Sequence, residues 1–340
     1  MIVWRPPLNK VFPRTLRKYV EASATLSGMN YFKGQMLYRL GLKGHDSGAT
    51  HVALSLDESL DYVSRVVRDY LTYAGVTNSF FRGKRILEIG PGDNLGVALC
   101  FLAMGARSVT CLDRFSSDRN EQHNAEIYEA LVRQLDVEER ERIHAAIDHD
   151  ARGHVSFKRD RIEYRCGIPI EKAHRELAAP FDLIVSRAVL EHVYDLEAGW
   201  SVMVSLLSSS GQMWHKVDLR NHQFFDQLHP LYFLTVKERL WRAISSPDPT
   251  LNRQLLPTYR RLLSQSFNDW TLYYTSLMGR DGELVPHQTS LTKGIDYDDR
   301  DIDSVSDMRP FLAHPFQDMS NEELLTSGIF LIARRTERGQ

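Results

Sequence analysis

The residues best suited to ligand chemistry form a short glycine-containing turn in the first third of the chain. Residues 86–96 read Ile-Leu-Glu-Ile-Gly-Pro-Gly-Asp-Asn-Leu-Gly and follow the start of a short β-rich run. Glycines such as Gly90 and Gly92 allow a positive φ and a close approach of a ligand to the backbone. Because the turn leads into a helix, its amides are free to bind a polar ligand. We therefore expect Glu88, Gly90, Pro91 and Gly92 at a nucleotide-type cofactor site.

A second acidic residue, Asp113, stands directly after the next predicted strand. A carboxylate roughly 20 residues beyond a glycine turn can accept hydrogen bonds from both hydroxyls of a ribose. The alternative is that Asp113 only caps a helix. Glu88 also leaves two interpretations open: it contacts the cofactor region, or it fixes the turn by accepting backbone amides.

Three histidines and one carboxylate are expected near the carboxyl ends of later strands. His192 follows the fourth predicted strand, and His215, Asp218 and His222 belong to the fifth strand or follow it. Histidine suits general-base work near neutral pH. We predict that one of the three histidines takes a proton from a substrate and that Asp218 contacts that substrate. Each has a structural alternative, since His192 can hydrogen-bond within the protein and His215 lies inside an apolar strand.

The surrounding sequence alternates strands and helices from residue 84 onward. Strands are predicted at 84–89, 108–112, 161–166, 181–186, 212–219 and 328–334, and helices at 94–104, at 121–147 with a break near Asp136, and at 189–207. This alternation predicts an α/β fold with a mostly parallel sheet and helices on both faces. The carboxyl ends of parallel strands meet at the edge where ligands bind, so the glycine turn, Asp113 and the histidines should converge there.

Taken in order along the chain, these motifs resemble the class I S-adenosylmethionine-dependent methyltransferases. The resemblance is carried by the acidic-x-Gly-x-Gly of residues 88–92, by Asp113, and by Ser186 with the Leu-Glu-His-Val that follows it. It implies S-adenosylmethionine as the cofactor and a Rossmann-like sheet of seven strands. It also implies cofactor contacts from Asp113 and its neighbour Arg114, from Ile168 after the third strand, and from Ser186.

Farther along, Asn252 and Arg253 resemble the segment before the sixth strand of small-molecule methyltransferases, and we predict that they contact substrate. Their alternative is helix capping. The resemblance covers roughly residues 84–335 apart from poorly matched stretches, and it implies methyl transfer to a small molecule. We hypothesise that the acceptor is a hydroxyl of a sugar or a secondary metabolite. The Asn/Asp-Pro-Pro-aromatic motif of amino-methylating enzymes is replaced by Ser-Arg-Ala-Val at 186–189.

Regions outside these motifs are assigned by their local patterns. Residues 1–82 are predicted to form an N-terminal helical cap, with a capping box at 55–58 before a helical apolar stripe. Residues 83–340 are predicted to form the methyltransferase domain. Within it, the aromatic-rich stretch 221–266 is expected to be a helical insertion resembling a lid. The acid-rich run at 296–303 is expected to be a solvated loop.

The charge, cysteine content and hydropathy of the chain limit which partners and compartments we expect. The chain has 42 basic and 44 acidic residues and a formal charge of -2, so no global basic field attracts nucleic acid. The three cysteines form no CxxC pair and all fall in predicted strands or a core helix, which argues against disulfides and zinc and favours a reducing compartment. No signal sequence and no apolar stretch long enough for a bilayer are found. We expect a cytoplasmic protein without metal, nucleic-acid or integral-membrane partners, and homo-oligomerisation stays open.

Two other functions remain to be distinguished. A nicotinamide-dependent oxidoreductase shares the strand, glycine turn and helix, but its fingerprint needs a third glycine in the G-x-G-x-x-G spacing. Here Leu95 occupies that position and the next glycine is Gly96. A binding module that keeps the methyltransferase fold without turnover is the non-enzymatic alternative.

Overall fold

The fold is built around a sheet of seven strands. A computed structural model describes residues 50–117, 119–149, 155–220, 229–245 and 252–336. Within these ranges the strands are β1 (Arg85–Ile89), β2 (Ser108–Leu112), β3 (Ile147–His149), β4 (Val155–Phe157), β5 (Ile162–Arg165), β6 (Phe181–Arg187), β7 (Leu207–Asp218), β8 (Asp269–Leu277) and β9 (Thr326–Arg334). The sheet order is β5-β2-β1-β6-β7-β9-β8, and β3 pairs with β4 separately.

The direction of the strands matches the sequence prediction of a mostly parallel sheet. β9 runs antiparallel to β7 and β8, and the other pairs in the sheet are parallel. The carboxyl ends of β1, β2, β5, β6 and β7 therefore meet at one edge. The predicted α/β class and its seven-stranded sheet are confirmed.

Helices cover both faces of the sheet. They are α1 (Leu56–Ala74), α2 (Gly96–Ala103), α3 (Glu121–Gln134), α4 (Val137–His144), α5 (Leu196–Leu206), α6 (Glu238–Ser245), α7 (Leu256–Ser266), α8 (Asp299–Met308) and α9 (Asn321–Leu325). Apolar side chains of α1 to α4 pack with one set of strand residues, including Ile86 and Trp214. Side chains of α5 and α7 pack with the alternate set, including Leu87 and Ile184. This is the result of successive strand residues facing opposite sides of a sheet.

Helix α1 has the boundaries that its sequence predicts. The Ser55 hydroxyl accepts the Glu58 N–H at 3.4 Å, and the Glu58 carboxylate accepts the Ser55 N–H at 2.9 Å. Gly75 ends the helix at a φ of 64°. Tyr73 stacks on Phe330 of β9 with ring centroids 4.5 Å apart, so α1 packs directly on the sheet. The proposed boundary of an N-terminal cap at residue 82 stays a prediction.

Two strand assignments differ from the sequence prediction. The helical segment expected to reach residue 147 ends at His144, and Ile147 begins the β3–β4 pair. β8 had no predicted bounds. It lies at the edge of the sheet, where its half-buried residues lack the continuous apolar run of a central strand.

Two helix assignments are also corrected. The helix expected from residue 189 begins only at Leu196, because Ala188 has a φ of 52° and Asp195 caps the helix through the Ala198 N–H at 3.0 Å. The acid-rich run is not a loop. Asp298 accepts the amides of Arg300 and Asp301, and carboxylates in a first turn stabilise a helix N-terminus, so the run begins α8.

Two further regions concern the cysteines and the insertion. Cys166 follows the end of β5 and is exposed, contrary to the core position expected for it. The described parts of 221–266 are helical, as predicted: a 3₁₀ turn at Tyr232–Thr235, then α6 and α7. A role for this insertion as a lid stays a prediction.

Candidate cofactor and acceptor site

The glycine turn sits at the carboxyl end of β1, and at Gly90 it has no room for a side chain. Gly90 and Gly92 have φ values of 71° and 74°. The Gly90 N–H donates to the Leu112 carbonyl at 2.8 Å, which ties the turn to β2. A Cβ on Gly90 would lie 2.4 Å from Cγ2 of Val189. Glycine is thus required here both by backbone conformation and by the segment after β6.

The residues after the turn are held by a buried amide network. Asn124 of α3 donates to the Asp93 carbonyl at 2.8 Å, and Asn94 donates to the Asn124 side-chain oxygen at 2.8 Å. The Asp93 carboxylate accepts the Val52 N–H at 2.8 Å. The turn is therefore fixed from α3 and from the segment before α1. These residues were not singled out in the sequence, because their partners are 31 and 41 residues away.

Asp113 lies beside the turn, as its predicted role requires. Its carboxylate faces the amides of Gly92 and Phe115, and the Phe115 N–H is 3.4 Å from Oδ1. Burial raises the pKa of Asp113, while those amides and nearby Arg119 lower it. The helix-cap alternative does not apply, because the N-cap of the following helix is Asn120. The carboxylate is partly exposed at the sheet edge, where a ribose could reach it.

Glu88 lies beneath the turn and is 6% exposed. Among the described residues its hydrogen-bond partner is the Cys111 thiol, 3.5 Å from Oε2, rather than an amide of the turn. Burial raises the pKa of Glu88 to about 7. A carboxyl group that changes charge near neutral pH is thus placed directly under the candidate cofactor site.

Three further predicted cofactor residues lie at the same edge with different partners. Arg114 is 3.8 Å from the Glu171 carboxylate. The Ile168 N–H donates to the Asp113 carbonyl at 3.2 Å. Ser186 pairs with Ile89 across the strands, but its buried hydroxyl bonds to His215 Nδ1 at 2.7 Å. Arg114 and Ile168 are therefore next to Asp113, while the Ser186 side chain hydrogen-bonds within the protein core.

His215 is a fully buried histidine of the core. It lies between the Ser186 hydroxyl and Trp200, whose ring centroid is 6.4 Å away. Burial lowers the pKa of His215 to about 3. Its position matches the structural alternative, since a buried imidazole that resists protonation is poorly suited to accept a substrate proton.

His192 occupies a more open position in the 3₁₀ turn after β6. Its side chain is partly exposed, and its backbone N–H donates to the Val189 carbonyl at 2.8 Å. The same Val189 packs against Gly90, so the turn that carries His192 touches the candidate cofactor loop. His222 lies outside the described residues.

Two carboxyl groups meet between this turn and the end of β7. Glu191 is 2% exposed, and its Oε1 accepts the Asp218 N–H at 3.3 Å. Burial, followed by the negative charge of Asp218, raises the pKa of Glu191 well above its usual range. Arg220 Nε donates to both Asp218 oxygens at 2.9 and 3.1 Å. The Asp218 carboxylate is therefore paired with Arg220, whereas the buried position of Glu191 favours its neutral form.

Asn252 and Arg253 are committed to protein partners. Asn252 Nδ2 donates to the carbonyls of Leu190 and Val193 at 2.7 and 3.0 Å, which holds the His192 turn. Arg253 has a φ of 55°, is nearly buried, and donates to the Val236 carbonyl at 2.6 Å. Burial lowers its pKa to about 10. Neither residue caps α7, whose N-cap is Leu255.

An ion network that the sequence did not indicate joins α1 to the strand ends. Lys216 of β7 donates to Asp69 of α1 at 2.8 Å and to Glu283 at 2.7 Å. Arg187, at the end of β6, also pairs with Asp69. Because these charges lie on four separate segments, only the folded chain brings them together.

The described residues contain neither a metal cluster nor a membrane-length helix. No three His, Cys, Asp or Glu side chains in these ranges form a group that could bind a metal ion. None of the helices in the same ranges is both long and apolar enough to cross a bilayer.

The comparison that decides the family is the match to a family model. A model described as a methyltransferase domain matches residues 60–265, more than half of the chain. The chain belongs to this methyltransferase family. It is a class I enzyme that uses S-adenosylmethionine as the methyl donor. The predicted cofactor is confirmed, and the oxidoreductase and non-catalytic alternatives are set aside.

Solved structures similar to the methyltransferase are distant. A putative S-adenosylmethionine-dependent methyltransferase from Listeria monocytogenes is 12% identical, covering 80% of this chain and 100% of that one, with a TM-score of 0.37. Magnesium protoporphyrin IX methyltransferase from Synechocystis PCC 6803 is 11% identical, covering 94% and 98%, with a TM-score of 0.38. Phosphoethanolamine N-methyltransferase 2 from Haemonchus contortus is 14% identical, covering 83% and 60%, with a TM-score of 0.38. These likenesses carry no argument about the acceptor, and no curated protein sequence matches the chain.

Proposed function

We propose that this methyltransferase methylates a hydroxyl group of a small molecule, such as a sugar or a secondary metabolite, with His192 as the general base. The observation that supports it most is the contact between Val189 and Gly90. It keeps the turn that carries a partly exposed histidine against the cofactor loop. His192 is also the more accessible of the two candidate histidines that the structure describes, since His215 is buried.

The residues at the edge of β1 and β2 fit S-adenosylmethionine. Gly90 and Gly92 have no side chains that would block a close approach of the cofactor, and the partly exposed Asp113 carboxylate can accept two hydroxyl donors. When bound, the cofactor supplies an electrophilic methyl group on a positively charged sulfur. The Asp113 carboxylate accepts hydrogen bonds from the ribose hydroxyls, and Arg114 and Ile168 lie next to Asp113.

On the acceptor side, the chain must orient a hydroxyl and remove its proton. We assign that proton to His192, because histidine is the side chain whose ordinary pKa lies closest to neutral pH. Asn252 fixes its turn through two carbonyls. We assign to Asp218, which pairs with Arg220, a hydrogen bond from a second polar group of the acceptor.

The test is methyl transfer from isotopically labelled S-adenosylmethionine to a panel of small alcohols, phenols, amines and carboxylic acids. On the best acceptor, His192→Ala should lower kcat by about 10²–10⁴-fold and leave the affinity for S-adenosylhomocysteine unchanged. The matched control is His144→Ala, which changes an exposed histidine of α4. Label found only on nitrogen acceptors, or wild-type kcat in the His192 variant, would refute the proposal. Wild-type turnover of His192→Ala with loss of activity in His222→Ala would move the base to His222.

A further inference from the structure

The peptide group of Gly92 is held at both of its polar ends. Its N–H faces the Asp113 carboxylate. Its carbonyl accepts a hydrogen bond from Arg119 Nη2 at 3.1 Å. A peptide fixed in this way cannot rotate without breaking both contacts. Gly92 has a φ of 74°, and as a glycine it has no side chain whose packing would hold the backbone.

Arg119 reaches Gly92 from the segment between β2 and α3. Its guanidinium carbon lies 3.7 Å from the centroid of the Tyr164 ring, which is the distance of a cation–π stack. Tyr164 belongs to β5 and lies opposite Cys111 in β2. The arginine is therefore oriented by an aromatic plane on one strand while it hydrogen-bonds the turn that follows another.

The charge of Arg119 faces two buried or half-buried carboxyl groups. Burial raises the pKa of both Glu88 and Asp113, and the positive charge of Arg119 opposes that rise at each. The other titratable groups packed around it are Cys111 of β2, Tyr128 of α3 and Tyr164 of β5, which also experience its charge. The neighbouring Arg114 is engaged by Glu171 at 3.8 Å.

We propose that Arg119 is a positioning residue of the cofactor site, which fixes the Gly92 peptide toward Asp113 and brings its positive charge near the carboxylate that accepts the ribose hydroxyls. Arg119 acts through these two residues and need not touch the cofactor. The proposal uses two separable properties of one side chain. The planar donor group holds the geometry of the turn, and the positive charge favours the charged form of Asp113. It rests on the ribose contact proposed for Asp113.

Calorimetric titration of S-adenosylhomocysteine from about pH 4 to about pH 8 separates the two properties. Arg119→Met keeps an aliphatic stem against Tyr164 but loses charge and donors. At neutral pH its affinity should fall by about 10- to 100-fold, as expected for one lost charge-assisted hydrogen bond. Its affinity should also start to fall at a higher pH than in the wild type, because Asp113 then takes up a proton more readily.

Two other variants assign each effect to its cause. Arg119→Lys keeps the charge, so the acid limb of binding should return to the wild-type pH, while the affinity stays reduced because an ammonium cannot reproduce the planar stack. Arg119→Gln keeps an amide donor for the Gly92 carbonyl, so it should show the acid shift with the smaller loss of affinity. The matched control is Arg133→Met at the exposed end of α3, which should bind like the wild type.

The result that overturns the proposal is wild-type affinity in Arg119→Met. A uniform loss of affinity at every pH, with identical behaviour of the Lys, Gln and Met variants, would reduce Arg119 to a packing role and would also overturn it. Thermal unfolding of each variant without ligand identifies any that fail to fold. If Arg119→Met does not fold, the Lys and Gln variants still test the proposal. Arg119→Lys should keep the wild-type pH dependence of binding with reduced affinity, whereas Arg119→Gln should shift that pH dependence with a smaller loss of affinity. If Asp113→Asn alone leaves affinity intact, the ribose contact fails, and this outcome is distinct from a failure of Arg119.

Discussion

The edge formed by β1 and β2 and the edge formed by β6 and β7 organise their polar residues in opposite ways. At the first edge, Asp113 presents a partly exposed carboxylate beside the glycine turn. At the second, the polar side chains mostly bind one another, as Ser186 binds His215 and Asn252 binds two carbonyls. Among the described residues of this edge, His192 and the Arg220-paired Asp218 are partly exposed.

The two edges of the enzyme are therefore fixed by different kinds of contact. The cofactor is the same for every member of the family, so its edge can be built from short motifs next to the strands. The acceptor edge must be shaped by packing between distant segments. The Asn252 variant on the acceptor edge should accordingly affect stability without changing cofactor affinity, whereas Asp113 variants on the cofactor edge should change cofactor affinity.

The largest expected effect is that of Asp113→Ala on the cofactor edge. Two hydrogen bonds to a charged acceptor are lost, each with about 1.5–3 kcal/mol. The Kd for S-adenosylhomocysteine should therefore rise by about 100-fold or more, with little change in Tm. Calorimetric titration measures the Kd, and Asp160→Ala, at an exposed position, is the control. An unchanged Kd would remove the basis for treating the first edge as a ribose site.

Glu88, at the cofactor edge, should destabilise the folded protein when its buried carboxyl group is charged. Its pKa is raised from 4.5 to about 7 in the folded protein, so the folded state binds the proton more tightly than the unfolded state. The free energy of unfolding should then decrease as pH rises from about 4.5 to about 7 and stay reduced above it. At 1.36 kcal/mol per pKa unit, the difference corresponds to on the order of 3 kcal/mol.

Glu88→Gln should abolish this decrease, and the variant should be more stable than the wild type above about pH 7. Urea unfolding at several pH values measures the effect, with Glu129→Gln at an exposed position of α3 as the control. A wild-type pH slope in the Glu88 variant would assign the slope to other groups.

Gly90→Ala tests the point where the two edges touch. Gly83 and Gly90 have φ values of 72° and 71°, but a Cβ on Gly83 meets nothing within 4 Å, whereas one on Gly90 meets Val189. Both alanine variants should lose about 1–2 kcal/mol of stability from the backbone. Gly90→Ala should lose about 1–3 kcal/mol more from overpacking.

Chemical unfolding of both variants gives the difference. Adding Val189→Ala to Gly90→Ala should recover part of the extra loss, because it removes the methyl groups that the new Cβ meets. Equal losses in the two glycine variants would show that the contact between the edges is loose.

The smallest effect is expected on the acceptor edge. Asn252→Ala removes two hydrogen bonds to carbonyls of the His192 turn, so stability should fall by about 1–3 kcal/mol. Affinity for S-adenosylhomocysteine should stay at the wild-type value. Asn268→Ala, an exposed asparagine, is the control. A weaker Kd in the Asn252 variant would break the separation between the two edges.

The cofactor edge could be predicted from sequence because its determinants are local. Gly90, Gly92 and Asp113 each stand directly after a strand, and parallel pairing then places them side by side. The helix boundaries at Ser55 and Gly75 were predictable for the same reason. Each depends on backbone groups within a few residues along the chain.

The acceptor edge could not be predicted in this way. Asn252 bonds a carbonyl 62 residues away, and Ser186 bonds a histidine 29 residues away. Nothing in the local pattern shows that these polar side chains are already satisfied. Arg119 was missed for a related reason, because its partner Gly92 follows β1 and its partner Tyr164 belongs to β5, and these strands are far apart in the chain.

One consequence of the strand order concerns the synthesis of the protein on the ribosome. β8 pairs only with β9 in the sheet, and β9 is translated after it. While the nascent chain emerges, β8 carries aromatic and aliphatic side chains with no partner strand, and unpaired strands of this kind associate with other chains. Until residues 326–334 have left the exit tunnel, β8 therefore stays without the strand that it pairs with in the folded sheet.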